Sequence, residues 1–120
     1  MTVQKVVHIE FSAQDPKSLG KFYADLFGWK TEYSEEMDYV MFDGGDGPGG
    51  GFPKLTEDFP AGTVIVYIST DDVDASLSIA ESLGAKIITP KTEIPMMGWF
   101  GLFADPTGNV VGVFQSLPQD

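Results

Sequence analysis

His8 is the only histidine in the 120-residue chain, and Glu10 follows it by two positions. In the segment "VVHIEF" (Val6 to Phe11) apolar and polar residues alternate with the period of a half-buried strand. Both side chains therefore leave that strand on one face. An imidazole beside a carboxylate suits an acid–base pair, hydrogen bonding to a bound small molecule, or the beginning of a metal site. Protein metal sites take three or four ligands, or two His with a carboxylate. Here Asp43 and Asp46, in a later loop, are the oxygens at hand for such an improvised site. The plainer reading makes His8 a hydrogen-bonded residue of the sheet with no ligand.

Other chemistries are excluded or weakened. The absence of cysteine removes disulfides, a thiol nucleophile and thiolate-held zinc or iron–sulfur clusters. No serine stands in a G-x-S-x-G elbow, and one imidazole offers one base, so a nucleophilic triad is not supported. The run "GGDGPGG" (Gly44 to Gly50) matches G-x-G-x-x-G at Gly45, Gly47 and Gly50, but "GFPK" follows where a helix should begin. With no helix end to face a pyrophosphate, this reads as a loop rather than a nucleotide site. A calcium loop on Asp43 and Asp46 lacks the regular acidic spacing and the closing glutamate.

The elements that must hold His8 and Glu10 are legible as a repeat. "VHIEFSAQDPKSLGKFYADLFGWK" (Val7 to Lys30) and "VIVYISTDDVDASLSIAESLGAK" (Val64 to Lys86) each read strand, turn, helix, glycine, strand. Asp15 with Pro16 caps the first helix, and Asp71, Asp72 and Asp74 place negative charge at the start of the second. Gly28 and Gly84 close them as left-handed caps. Leu19, Phe22, Tyr23, Leu26 and Phe27 recur at helical spacing, as do Val73, Leu77, Ala80 and Leu83. Strands follow at Lys30 to Ser34, Asp38 to Phe42 and near Gly49 to Phe52, then at Lys86 to Thr89, Trp99 to Ala104 and Asn109 to Gln115. The pattern is β-α-β-β-β, twice, in one α+β domain. Its modules run over about 1–53 and 63–117, joined by a turn-rich linker over about 54–62. The two modules are expected to share a curved, cup-like mixed sheet with the helices outside.

A doubled β-α-β-β-β with "DPTGN" (Asp105 to Asn109) before its final strand resembles the glyoxalase/bleomycin-resistance/extradiol-dioxygenase superfamily, the vicinal oxygen chelate fold. "DPKSLGKFYADLFGWK" is similar to the first helix and its exit, "DDVDASLSIAESLGAK" to the second, and "FADPTGNVVGVFQ" to the closing turn and strand. The resemblance covers nearly the whole chain. It implies a divalent metal held by a His on the first strand of each half and a Glu or Gln on the fourth. Taken residue by residue, only His8 matches. Ile65 stands at the second histidine position, Gly112 at the closing-strand carboxylate, and Gly49 to Gly51 at its first-half equivalent. The resemblance also implies a homodimer.

The expected function is a metal-free small-molecule binder with an aromatic cup, needing no cofactor. His8 and Glu10 would orient the ligand, and Phe52, Trp99, Phe103, Gly112 and Phe114 would line its place. Trp99, Gly101 and Phe103 share one face of their strand in "IPMMGWFGLF" (Ile94 to Phe103), and that face is assigned to the cup. The alternatives are a divalent-metal-dependent lyase, isomerase or dioxygenase with unconventional ligands, and a dimeric interaction module. A net charge of −11 with seven basic residues disfavours nucleic acid and suits either solubility or a cationic ligand. Neither a signal-peptide core nor an apolar run of about 20 residues is present, so a cytoplasmic location without membrane contact is expected.

Overall fold

The computed structural model describes residues 3–118. Its elements run β1 (Val6–Phe11), α1 (Pro16–Phe27), β2 (Lys30–Ser34), β3 (Tyr39–Asp43), β4 (Gly49–Pro53), β5 (Val64–Ser69), α2 (Val73–Ser82), β6 (Lys86–Ile94), β7 (Gly98–Ala104) and β8 (Val110–Ser116). This is the α+β class and the twice-repeated β-α-β-β-β order expected from the sequence. The chain falls into two compact units, one of them Val7–Val66 and the other built from the remaining described residues.

In the first unit the strands are ordered β2-β3-β4-β1, with β1 parallel to β4 and the other neighbours antiparallel. α1 begins where Asp15 takes an extended backbone and accepts hydrogen bonds from the Ser18 amide and hydroxyl. It ends at Gly28, whose φ of 75° allows its N–H to reach the Ala24 carbonyl. Phe22, Leu26 and Phe27 of the apolar series on α1 are more than half exposed, whereas Leu19 and Tyr23 meet one face of the strands. Phe52 is fully buried there with Ala13, Val40 and Phe42, and Phe11, Tyr23 and Trp29 pack around them. The rings interlock, with Trp29 stacked 4.2 Å from Phe42 and Tyr23 stacked 5.3 Å from Phe52.

In the second unit, which takes β5 from Tyr67 onward, the order is β5-β8-β7-β6. Asp72 caps α2 by accepting from the Ala75 amide, and Asp74 adds negative charge to the first turn. Gln115 on β8 accepts from the Val73 amide, so a strand side chain satisfies another open N–H of the helix. Val73, Leu77 and Val113 form the buried cluster under α2, with Ile87, Trp99 and Phe103 against it.

β6 differs from the sequence reading. It continues beyond Thr89 through Pro90 to Ile94, with register shifts against β7 between Ile87 and Thr89 and between Thr89 and Thr92. A proline cannot donate to a ladder, and an outer strand with an irregular register tolerates it. Among the described residues no helix is long and apolar enough to cross a membrane.

Candidate functional site

The first unit has a second face, turned away from α1. Alternation along each strand places Val40, Phe42, Phe52 and Phe11 on the helix side, and His8, Glu10, Tyr39, Met41, Gly49 and Gly51 on the other. In register, His8 lies beside Gly49 and Glu10 beside Gly51, and Gly51 lies beside Met41 on β3. β4, between β1 and β3, thus offers no side chain at either glycine.

Tyr39 uses that gap. A Cβ on Gly51 would overlap the phenol ring and oxygen of Tyr39. The ring therefore crosses β4 at its bare position and brings its hydroxyl to β1. There it donates to Glu10 Oε2 at 2.7 Å and lies 2.7 Å from His8 Nε2. His8 Nε2 and Glu10 Oε2 are themselves 3.8 Å apart, beyond a hydrogen bond, so Tyr39 is the link between them. The imidazole and phenol planes are 10° from parallel. The His8 and Glu10 side chains are 27% and 15% exposed, sheltered but reachable.

Local sequence sets Tyr39 in place. β2 and β3 pair from Ser34 opposite Tyr39, closing a tight loop between them. Asp38, just before Tyr39, has φ 47°, a left-handed conformation that Asp adopts more readily than most residues. Its carboxylate accepts from the Tyr33 hydroxyl at 3.0 Å, and the Ser34 hydroxyl accepts from the Met37 amide. The turn thus fixes where β3 starts, and with it the origin of the phenol.

A tyrosine fills the corresponding gap in the second unit. A Cβ on Gly112 of β8 would overlap the ring of Tyr67 on β5. Tyr67 is 7% exposed and meets Phe100 edge to face at 6.5 Å. The space beside Gly112 is thus occupied by a side chain of this chain. Phe114 shares that face and lies opposite Phe100 across the β7–β8 ladder.

The aromatic residues assigned to the cup divide. Phe52 is completely buried under α1, in the core. Trp99 and Phe103 pack on the α2 cluster, and a Cβ on Gly101 between them would press on Leu77 and Val73. The helix face and the opposite face of β7 are therefore the reverse of the sequence reading: Phe100, not Trp99, stands with Tyr67. Period-two alternation gives the partition, but nothing in it says which half meets the helix.

The donor set does not fit the divalent metal that the resemblance implies. Among the described residues no group of three or more His, Asp or Glu side chains could hold an ion. His8 Nε2 and Glu10 Oε2 both face the Tyr39 hydroxyl. Of the two loop oxygens, Asp43 and Asp46, Asp43 accepts from the Gly45 amide at 2.8 Å and so shapes its own loop, and neither belongs to a group of three or more such side chains among the described residues. What the arrangement can do is hold polar groups: an imidazole, a phenol and a carboxylate, joined in sequence on one strand face.

Sequence reasoning missed Tyr39 and Tyr67. The signal was present in the glycines at 51 and 112, since a glycine inside a strand often marks the close approach of another group.

Comparison with known proteins agrees with this architecture. A family model described as "Glyoxalase-like domain" matches residues 8–114. A "Glyoxylase-like domain-containing protein" of Didymella fabae is 29% identical over 109 residues, covering 84% of this chain and 85% of that protein. CFP32 of Mycobacterium bovis, provisionally named a glyoxylase, is 35% identical over 54 residues, 45% of this chain. The match spans only 21%, about a fifth, of that relative's own length. A solved methylmalonyl-CoA epimerase of Streptomyces coelicolor superposes with a TM-score of 0.68 at 17% identity, covering 98% of this chain and 100% of the other. The likeness shows a shared fold. With the family model running from His8 in β1 to Phe114 in β8, the chain belongs to the glyoxalase-like domain family of the vicinal oxygen chelate superfamily.

Proposed function

We propose that this glyoxalase-like protein binds a small organic molecule on the strand face of its first unit, through His8, Tyr39 and Glu10, and does so without a metal. The observation that carries the reading is the Tyr39 hydroxyl, hydrogen-bonded to Glu10 and 2.7 Å from His8 Nε2, where an ion joining those two side chains would have to sit. A polar trio on one strand face matches the usual make-up of ligand sites, in which a few placed polar groups orient the ligand. The metal-dependent lyase, isomerase or dioxygenase reading needs side-chain donors that Gly51 and Gly112 do not have. The homodimer expected from the resemblance is part of the proposal, and light scattering on the purified protein reads it directly.

Metal analysis and thermal-shift screening test the reading together. The protein is expected to lose zinc, nickel, manganese and iron on dialysis. It should be stabilised by aromatic or cationic small molecules in a manner that Glu10→Gln weakens. Stoichiometric metal that survives dialysis and disappears in His8→Ala would overturn it.

A further inference from the structure

β2 lies at one end of the first unit's strand order, and among the described residues no strand covers its far side. Alternate N–H and C=O groups of an antiparallel strand point away from its neighbour, so an outer strand offers half a ladder to a new one. Proteins usually blunt such an edge. β6 shows how: Pro90 lacks a donor, and two register shifts break its pairing with β7. β2 has neither device. Its five residues pair with β3 in unbroken register, from Lys30 opposite Asp43 to Ser34 opposite Tyr39.

The side chains along this edge are complementary to their own reversed order. Trp29 and Tyr33 pack toward the core under α1, and alternation puts Thr31 on the same face between them. Lys30 and Glu32 therefore stand on the other face, and both are exposed. A two-fold axis normal to the strands beside Thr31 would set Lys30 of each copy opposite Glu32 of the other, with Thr31 opposite Thr31. One residue further out, Trp29 of one copy would meet Tyr33 of the second. Opposite charges, paired threonines and aromatic pairs directly across a ladder are all favourable. Neighbouring registers lose the match. An axis at Lys30 opposes two lysines and one at Glu32 opposes two glutamates, and like charges directly opposite are destabilising.

We infer that the β2 edge is a docking surface for a second copy of this chain, paired antiparallel in the register centred on Thr31 and selected by two Lys30–Glu32 pairs. The inference rests on the homodimer included in the proposed function and names the surface that makes it. Each copy carries a net charge of −11, so a contact between copies needs local attraction, and Lys30, one of seven basic residues, is placed to give it. In the pair, both α1 helices lie on one side of the joined strands and both His8–Tyr39–Glu10 faces on the other. A five-residue edge makes a small interface, so the association belongs to the weak class and should appear as a mass that rises with concentration.

Sedimentation velocity across a concentration series, with charge exchange at the edge, tests the surface. Lys30→Glu and Glu32→Lys each turn two attractive pairs into two repulsive ones, and either alone should weaken self-association at least about tenfold. The double variant restores both pairs in exchanged order and should associate like the native protein. The two single variants, mixed, should pair with each other more tightly than either does with itself. Unchanged self-association in the single variants, or no recovery in the double variant, overturns the inference and leaves a homodimer on another surface. A native protein that stays monomeric throughout removes the homodimer and this inference together, and leaves the edge to a strand of another protein or to solvent. Because the chain has no cysteine, Thr31→Cys carries a single thiol that would face its own counterpart across the axis. Mild oxidation should cross-link it into a dimer faster than Thr92→Cys on β6; equal rates or the reverse order would also overturn the inference.

Discussion

A methyl group placed on Gly51 probes the packing that holds Tyr39 against His8 and Glu10. It would occupy the volume of the phenol oxygen, Cζ and Cε1 of Tyr39, so ring and methyl cannot both keep their places. If β3 and β4 shift apart to accommodate both, overpacking costs about 1–3 kcal/mol. If the ring swings out, it gives up a hydrogen bond to a charged group, worth about 1.5–3 kcal/mol. Against either stands the entropy that Gly→Ala removes from the unfolded chain, about 0.4–1 kcal/mol in favour of folding. The expected net loss for Gly51→Ala is about 1–2 kcal/mol. Tyr39→Ala removes the obstacle. In that background Gly51→Ala should be neutral or slightly stabilising, so the double-mutant cycle should return a coupling of about 1–3 kcal/mol. Urea unfolding of the four proteins, compared at constant m-value, measures it. A cycle additive to within about 0.5 kcal/mol would show that the ring does not lie across β4, and the link it makes between His8 and Glu10 would fall.

The same logic holds in the second unit, where Gly112→Ala should destabilise in the native background and cost much less beside Tyr67→Ala; equal costs in both would refute the packing. Phe52→Ala should cost about 3–5 kcal/mol in urea unfolding, since Phe52 is wholly buried under α1; a cost under about 1 kcal/mol with lost ligand binding would return it to the site. Asp105 accepts from the Asn109 side-chain amide and from the amides of Thr107, Gly108 and Asn109, and these bonds hold its carboxyl below the usual aspartate range. A carboxyl depressed in the folded state stabilises above its unfolded value and loses that contribution as pH falls through the folded one. Asp105→Asn should therefore lower the urea midpoint at neutral pH, with the gap to the native protein closing below about pH 4; a gap constant down to pH 3 or so would contradict this.

Local chemistry made most of the fold legible. Asp15–Pro16, Asp72 and the glycines at 28 and 84 state where both helices begin and end, because caps depend on residues next to each other in the chain. The sequence reads β6 only as far as Thr89, and its continuation through Pro90 depends on its lying at the outer end of the β5-β8-β7-β6 order, where a missing N–H is tolerated. The site was half legible. His8 and Glu10 announce themselves by type and spacing on one strand. Tyr39 is 29 residues from Glu10 and reaches it across a strand that lies between, so only the register of β1, β3 and β4 reveals the contact. The aromatic residues failed as guides for a related reason. Trp99 and Phe103 are as apolar as a ligand pocket requires, and equally as apolar as the underside of α2 requires.

The two glycines are best understood together with the two tyrosines. Family resemblance expects a carboxylate on the fourth strand of each half, and this chain has Gly51 in the first-half stretch and Gly112 in the second. Loss of a ligand alone would leave any small residue acceptable at those places. The structure is more demanding, because a Cβ at either position would strike a tyrosine ring from the same unit, Tyr39 in one and Tyr67 in the other. Each position is therefore bound to its tyrosine by volume, and the pair has to change as one. Restoring a glutamate at Gly112 without removing Tyr67 would force a charged side chain into space held by a ring only 7% exposed, at the cost of burying charge or expelling the ring. The departure from the metal-binding pattern is thus built into the packing of both units, and in the first it also supplies a hydroxyl that joins His8 to Glu10.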